Sequence, residues 1–259
     1  MAAIEIEEVT KTFRSVKAVD RLSATIPEAS IYGFIGPNGS GKTTTMRMIA
    51  GIFHPDSGTV RVESKRGRIG YLPEERGIYK KMTVRALLAF HAELRGGKGA
   101  IPEINSWLEK LGLAQFSDNP IETLSKGMTQ KVQFIAAVVP QPELIILDEP
   151  FSGLDPVSAE TIRAAILDLR RAGSTVILST HDMSVAENMC DRILMIFLGK
   201  KVLDGTLADI QGQYGNDTIR ISAVNSAAAL ANLPGVDVKG GGKIYQCGGA
   251  KVSHLAAGF

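Results

Sequence analysis

Residues 34–46 read FIGPNGSGKTTTM. The apolar start has the character of a buried strand end, and TTTMRMIAG beyond it places Met46, Ile49 and Ala50 at helical spacing, with Gly51 as a stop. Between strand and helix, Gly36, Pro37, Asn38, Gly39, Ser40, Gly41, Lys42 and Thr43 fill every position of the pattern G-x-x-x-x-G-K-[ST], and Thr44 follows. Such a loop suits phosphate. Its glycines let backbone N–H groups curl around the anion, Lys42 reaches the β- and γ-phosphates, and the Thr43 hydroxyl can ligand Mg²⁺. The helix behind it aims its positive end at the same place. The expected ligands are therefore a nucleoside triphosphate and Mg²⁺, a requirement that many unrelated machines share.

On either side of this loop the pattern changes character. IEIEEV alternates as a strand, with Ile4 and Ile6 on one face and glutamates on the other. From about Pro73 to Val139 the periodicity is helical: Val84, Leu87, Leu88 and His91 share one face, and Ile104, Trp107, Leu108 and Leu111 another. A third helix starts near Ser125 and turns Met128, Val132, Ile135, Ala136 and Val139 inward. His91 is read here as a core residue. Strands then return as ELIILD, TVILS and RILMIF, separated by DPVSAETIRAAILDLRRAG, a helix with Asp155 as N-cap, Pro156 in its first turn and Gly173 beyond its end. Alternating strands and helices predict an α/β fold with a mostly parallel sheet covered on both faces. After about Gly205 a small α+β unit is expected, with DTIRISAV as a strand, SAAALANL as a short helix and VDVKGGGKIYQC as a hairpin.

The chain has 259 residues, 44% hydrophobic and 22% charged, with a net charge of +2. That is ordinary for a globular protein of one large domain, or of one plus a small one. The near-neutral charge and the lack of any long Lys/Arg run argue against nucleic acid as a partner. Two distant cysteines, Cys190 and Cys247, are too few for a disulfide framework or a cysteine zinc site, and suit a reducing compartment. MAAIEIEEVTKTF is too acidic and polar for a signal peptide, and no apolar run approaches the ~18 residues of a membrane span.

Four further stretches bear on chemistry. LIILDEP ends an apolar strand in Asp148 and Glu149; the first suits Mg²⁺, and the second can position or deprotonate an attacking water. His181, just past TVILST, can sense a γ-phosphate, although a lone histidine at a strand end is more often structural. TLSKGMTQK caps a helix with Ser125 and keeps Gly127 beside it, a second place where an anion could sit if another copy supplied it. GYLPEERGIY places Glu74 where the sheet meets the helical segment.

In order, the chain carries GPNGSGKT, YLPEE, LSKGM, LIILDEP, SGLD and STHD. This set resembles the nucleotide-binding subunit of an ATP-binding cassette (ABC) transporter over about residues 4 to 205. The resemblance is closest to the bacterial exporter-type ATPases that read YLPEERGLY and carry a small C-terminal extension. It implies a P-loop NTPase (RecA-like) core in an ATPase domain over residues 1–205, with an N-terminal antiparallel β subdomain and an ABC-specific helical insert at about 76–140. Residues 206–259 would be the extension, shorter than usual. It also implies ATP and Mg²⁺, with residues 36–43 as the Walker A loop, Asp148 and Glu149 as Walker B aspartate and catalytic glutamate, and His181 as switch histidine. Residues 152–155 match the D-loop, and Phe13 the aromatic that stacks on adenine. Partners would be a second ATPase subunit, whose Ser125 loop closes the site, and a transmembrane permease subunit, on the cytoplasmic face of the cell membrane.

Two positions depart from the family pattern. The signature LSGGQ is LSKGM here, so Lys126 replaces a glycine; it could add charge near phosphate or point to solvent. Glu74 replaces the Q-loop glutamine as a Mg²⁺ ligand and brings a full negative charge. Two other classes compete. Non-transport ABC-type ATPases of chromosomes and repair put a long coiled coil between Walker A and signature, where this chain has only about eighty residues. Other P-loop classes leave the Ser125 motif and His181 unexplained.

Overall fold

In the first strand of the protein, β1 (Ala2–Phe13), Ile4 and Ile6 are buried and the alternation then slips. Ile6 pairs with Ala24 and Val9 with Leu22, so β1 carries one extra residue there, and Glu8 takes a positive φ of 48°. That bulge returns Val9 to the core. Its partner β2 (Val16–Pro27) and β4 (Ser57–Val62) flank it antiparallel in the order β2-β1-β4. The computed structural model describes residues 2–63, 69–74, 77, 79–94, 99–214, 218–222, 236–237 and 244–248.

The chain forms two compact units, Met1–Leu207 and Ala208–Phe259. The larger is organised by a six-stranded sheet. Its strands are β3 (Ile31–Ile35), β5 (Ile69–Leu72), β6 (Leu144–Leu147), β7 (Thr175–Thr180), β8 (Arg192–Phe197) and β9 (Lys200–Gly205). They lie in the order β5-β6-β7-β3-β8-β9, all neighbours parallel except the antiparallel pair β8–β9. Strand periodicity divides the buried residues. Tyr32, Phe34, Ile146, Ile177 and Leu194 join one cluster with Ile4, Leu22 and Ile26 of the antiparallel sheet and Met46 and Ile49 of α1 (Lys42–Ile49). Sheet, helix and second sheet thus form a layered α/β core.

The helical insert comprises α2 (Val84–Leu94), α3 (Ile101–Lys110) and α4 (Lys126–Val138). Trp107 meets Phe134 edge-on at 5.9 Å, joining α3 to α4. Lys110 pairs with Asp168 at 2.8 Å, tying α3 to α5 (Pro156–Arg171), which is capped by Asp155 as its sequence predicts. One expectation is corrected: the buried stripe of α2 is Val84, Leu87, Leu88 and Ala92, while His91 is only half-buried, beside Phe90. At 3.6 residues per turn His91 does fall on that face, but its ring lies against the exposed Phe90, with centroids 5.9 Å apart. A short helix, α6 (Met183–Met189), precedes β8.

Near the division, α7 (Leu207–Tyr214) leads into the smaller unit, where β10 (Thr218–Ser222), β11 (Val236–Asp237) and β12 (Ile244–Gly248) form an antiparallel sheet in the order β10-β12-β11. The strand expected in DTIRISAV is β10, and VDVKGGGKIYQC supplies the pair β11 and β12. The short helix expected in SAAALANL and the triple-glycine turn lie outside the described residues.

Candidate active site

Parallel strands release their chains at one edge of a sheet, and here three of those exits converge. Ile35 pairs with Thr180 and Leu147 with Leu178, so the loop after β3, the acidic pair after β6 and His181 after β7 emerge side by side. A cavity of about 350 Å³ opens there, lined by Ala18, residues 38–44, Glu74, Asp148 and Glu149. A second hollow of about 490 Å³ lies against Gly36, Pro37, Asn38, His181, Met183 and Met195.

The loop requires its glycines. A methyl group on Gly36 would lie 2.2 Å from the Ile196 carbonyl oxygen, and one on Gly41 2.4 Å from that of Ala18. Both also have positive φ, +154° and +109°. Lys42, 5% exposed, donates to the carbonyl oxygens of Gly36 at 2.7 Å and Pro37 at 3.2 Å. Those two bonds leave an ammonium N–H for an anion. The Ser40 hydroxyl is buried with no partner, an orphan donor in a wall built of backbone amides.

At the acidic pair, the Ser179 hydroxyl donates to Asp148 Oδ1 at 2.6 Å and accepts the Glu149 N–H at 2.8 Å. Ser179 is wholly buried. It was not legible as a site residue, because a serine in TVILST carries no local mark of what the next strand places beside it. Asp148 Oδ2 is buried and unpartnered, a carboxylate oxygen with capacity left for a hard cation. Thr43 and Glu74 line the same cavity, so the three residues expected to hold Mg²⁺ are gathered there, and their oxygens fit it.

Glu149 has a φ of +48°, a strained geometry for a residue with a Cβ. Its Oε1 lies 3.0 Å from His181 Nδ1; the glutamate is almost buried and the histidine exposed. A carboxylate held this way can accept a proton while the imidazole fixes its direction.

The remaining expected residues stand apart from the cavity lining. Ser125 caps α4, its hydroxyl accepting from the Met128 N–H at 3.2 Å. A methyl group on Gly127 would lie 3.6 Å from Asp155 Oδ2, so the two capped helix starts touch. The Asp155 carboxyl, held by hydrogen bonds from the Ser158 side chain and backbone, is lowered below its usual range. Phe13 does not line the cavity. Its ring packs edge-on against Phe53 at 5.4 Å, with Lys11 Nζ 5.7 Å from its centroid, whereas Ala18 forms part of the wall. Beside Phe53, Phe13 stays 40% exposed, so the ring keeps a face open to solvent.

Comparison with known proteins gives the family. A family model described as ABC transporter matches residues 19–152, and one described as an AAA domain matches residues 118–187. An uncharacterized ABC transporter ATP-binding protein of Bacillus subtilis (strain 168), YhaQ, is 40% identical, covering 90% of this chain and 81% of its own length. The Nod factor export ATP-binding protein I of Burkholderia lata (strain ATCC 17760 / DSM 23089 / LMG 22485 / NCIMB 9086 / R18194 / 383) is 34% identical over 90% of this chain and 81% of its own. Among solved structures, an ATP binding subunit of an ABC transporter superposes with a TM-score of 0.76 at 28% identity, covering 82% of this chain and 93% of that one.

Proposed function

Since the chain belongs to the ABC transporter family of ATP-binding subunits, and is accordingly an ATPase, we propose that it hydrolyses MgATP between two copies of itself to drive a separate membrane protein. Export is the proposed direction, supported by the YLPEERG stretch and by the export named for the Nod factor relative. Among the described residues no helix is long and apolar enough to cross a membrane. The proposed place of work is the cytoplasmic face of the membrane, against a permease subunit.

The observation that carries the mechanism is Glu149 held by His181 at 3.0 Å on the edge of the loop cavity. The N–H groups of residues 36–43 and Lys42 bind the triphosphate. Thr43, Asp148 and Glu74 would hold Mg²⁺, which offsets negative charge on the β- and γ-phosphate oxygens. Glu149 orients the attacking water and accepts its proton, and His181 keeps the carboxylate aimed. Ser125 and Gly127 do not line the cavity of their own chain, which supports a second copy bringing them to the nucleotide. ATP then stabilises the closed pair more than the open one, and hydrolysis releases it. Glu149→Gln should stop hydrolysis yet preserve ATP binding and lengthen the life of the dimer. Normal turnover by that variant would remove Glu149 as the base.

A further inference from the structure

Lys126 opens α4, where a cation faces the positive end of the helix and is disfavoured. Among the described residues Lys126 forms no ion pair. Its side chain instead crosses to the loop after the catalytic pair. A methyl group on Gly153 would meet Lys126 Nζ at 2.5 Å, Cε at 3.0 Å and Cδ at 3.8 Å. Gly153 itself has a φ of +69°, and its bare face is what admits the lysine. One helical turn on, Gln130 is 1% exposed, and its Nε2 donates to the Pro150 carbonyl. Residues four apart share a helix face, so Lys126 and Gln130 grip the same stretch at two points. That stretch turns back on the strained Glu149: the Ser152 N–H donates to the Glu149 carbonyl at 3.1 Å.

We propose that Lys126 is a positioning residue which, with Gln130, clamps residues 150–153 to α4 and so fixes the carboxylate of Glu149 for proton transfer. The clamp gives the helical insert a direct mechanical link to the chemistry: a tilt of α4 displaces the base. Neither the phosphate loop nor the cavity wall is touched by it. This inference rests on the assignment of Glu149 as base.

The full chain is assayed for steady-state ATP hydrolysis as wild type, Lys126→Ala, Lys126→Met and Gly153→Ala, and as the double variant Lys126→Ala/Gly153→Ala. Misplacing a base by a fraction of an ångström predicts that Lys126→Ala lowers kcat by about tenfold, with KM for ATP within about twofold. Lys126→Met, which keeps an unbranched stem over Gly153, should recover most of the loss. Gly153→Ala should cost less in the Lys126→Ala background than in wild type, because the clash is gone while the backbone strain is common to both. A kcat within twofold for Lys126→Ala overturns the clamp. So does a loss shared by kcat, ATP binding and thermal midpoint, which is a folding defect, or a Met variant no better than Ala. Glu149→Gln separates the two ideas. If it is inactive while Lys126→Ala is normal, only the clamp falls; if it turns over normally, both fall.

Discussion

Ser179→Ala removes a single oxygen on which both members of the acidic pair depend. That hydroxyl is the acceptor for the Glu149 N–H and the donor to Asp148 Oδ1, in a site where Ser179 has no exposure and Asp148 only 1%. Asp148 Oδ2 already lacks a partner, so the substitution strips the carboxylate of its remaining side-chain hydrogen bond there. Leaving a buried N–H unsatisfied costs about 1–3 kcal/mol, and a lost hydrogen bond to a charged group about 1.5–3. Partial relaxation brings the sum to roughly 3 kcal/mol. For a unit of this size, each kcal/mol moves the midpoint by about 2–4 °C, so thermal unfolding followed by circular dichroism should fall by roughly 6–12 °C. Hydrolysis should drop at least about tenfold, because Asp148 and the backbone of Glu149 lose their common anchor. The two residues should also couple, with Asp148→Asn/Ser179→Ala costing less stability than the single losses added together. A midpoint within about 2 °C of wild type, together with kcat within about twofold, would refute the bridging role.

Glu74→Gln should keep hydrolysis within about tenfold, roughly 1.4 kcal/mol in the barrier, since an amide oxygen also ligands Mg²⁺; complete loss would give the carboxylate a required role. Asp155 has its carboxyl lowered from the ordinary 3.8 by hydrogen bonds from Ser158, so its contribution to stability is present above that value and lost as pH falls through the lowered one. The stability difference between wild type and Asp155→Asn, measured by urea unfolding, should therefore shrink between pH 7 and acid pH, and a pH-independent difference would contradict it. Burial pushes the Cys190 thiol up to about 12, which leaves about one thiolate in ten thousand at pH 8. In a Cys247→Ser background a thiol reagent should then label the native protein far more slowly than the urea-unfolded one, and equal rates would contradict the burial.

What was legible in the sequence depended on local signals. The phosphate loop, the cap at Ser125 and the Asp155–Pro156 start of α5 each depend on residues within a few positions of one another, and each occurs where its pattern predicts. The missing parts depend on neighbours distant in the chain. Ser179 acquires its role from a pairing that sets β7 beside β6, and nothing in TVILST announces that register. The bulge at Glu8 is a mismatch between two strands, so alternation in one strand could not reveal it. The edge-on contact of Phe13 with Phe53 spans forty residues, and it leaves Phe13 40% exposed. Lys126 read as free to meet phosphate or solvent, until the fold brought Gly153 beneath it.

The loop that opens the sequence has a floor made much later. The Ile196 carbonyl lies where any side chain on Gly36 would go, and the Gly199 N–H donates to the Ser40 carbonyl at 2.9 Å. About 160 residues separate Ser40 from Gly199. At about 5–20 residues per second of synthesis, that delay is roughly 8–32 s. The growing chain therefore carries the glycine-rich segment, with Ala18 already made to back Gly41, well before the β8–β9 hairpin completes its floor. The complete cradle thus belongs to a chain whose β8 and β9 have already been made.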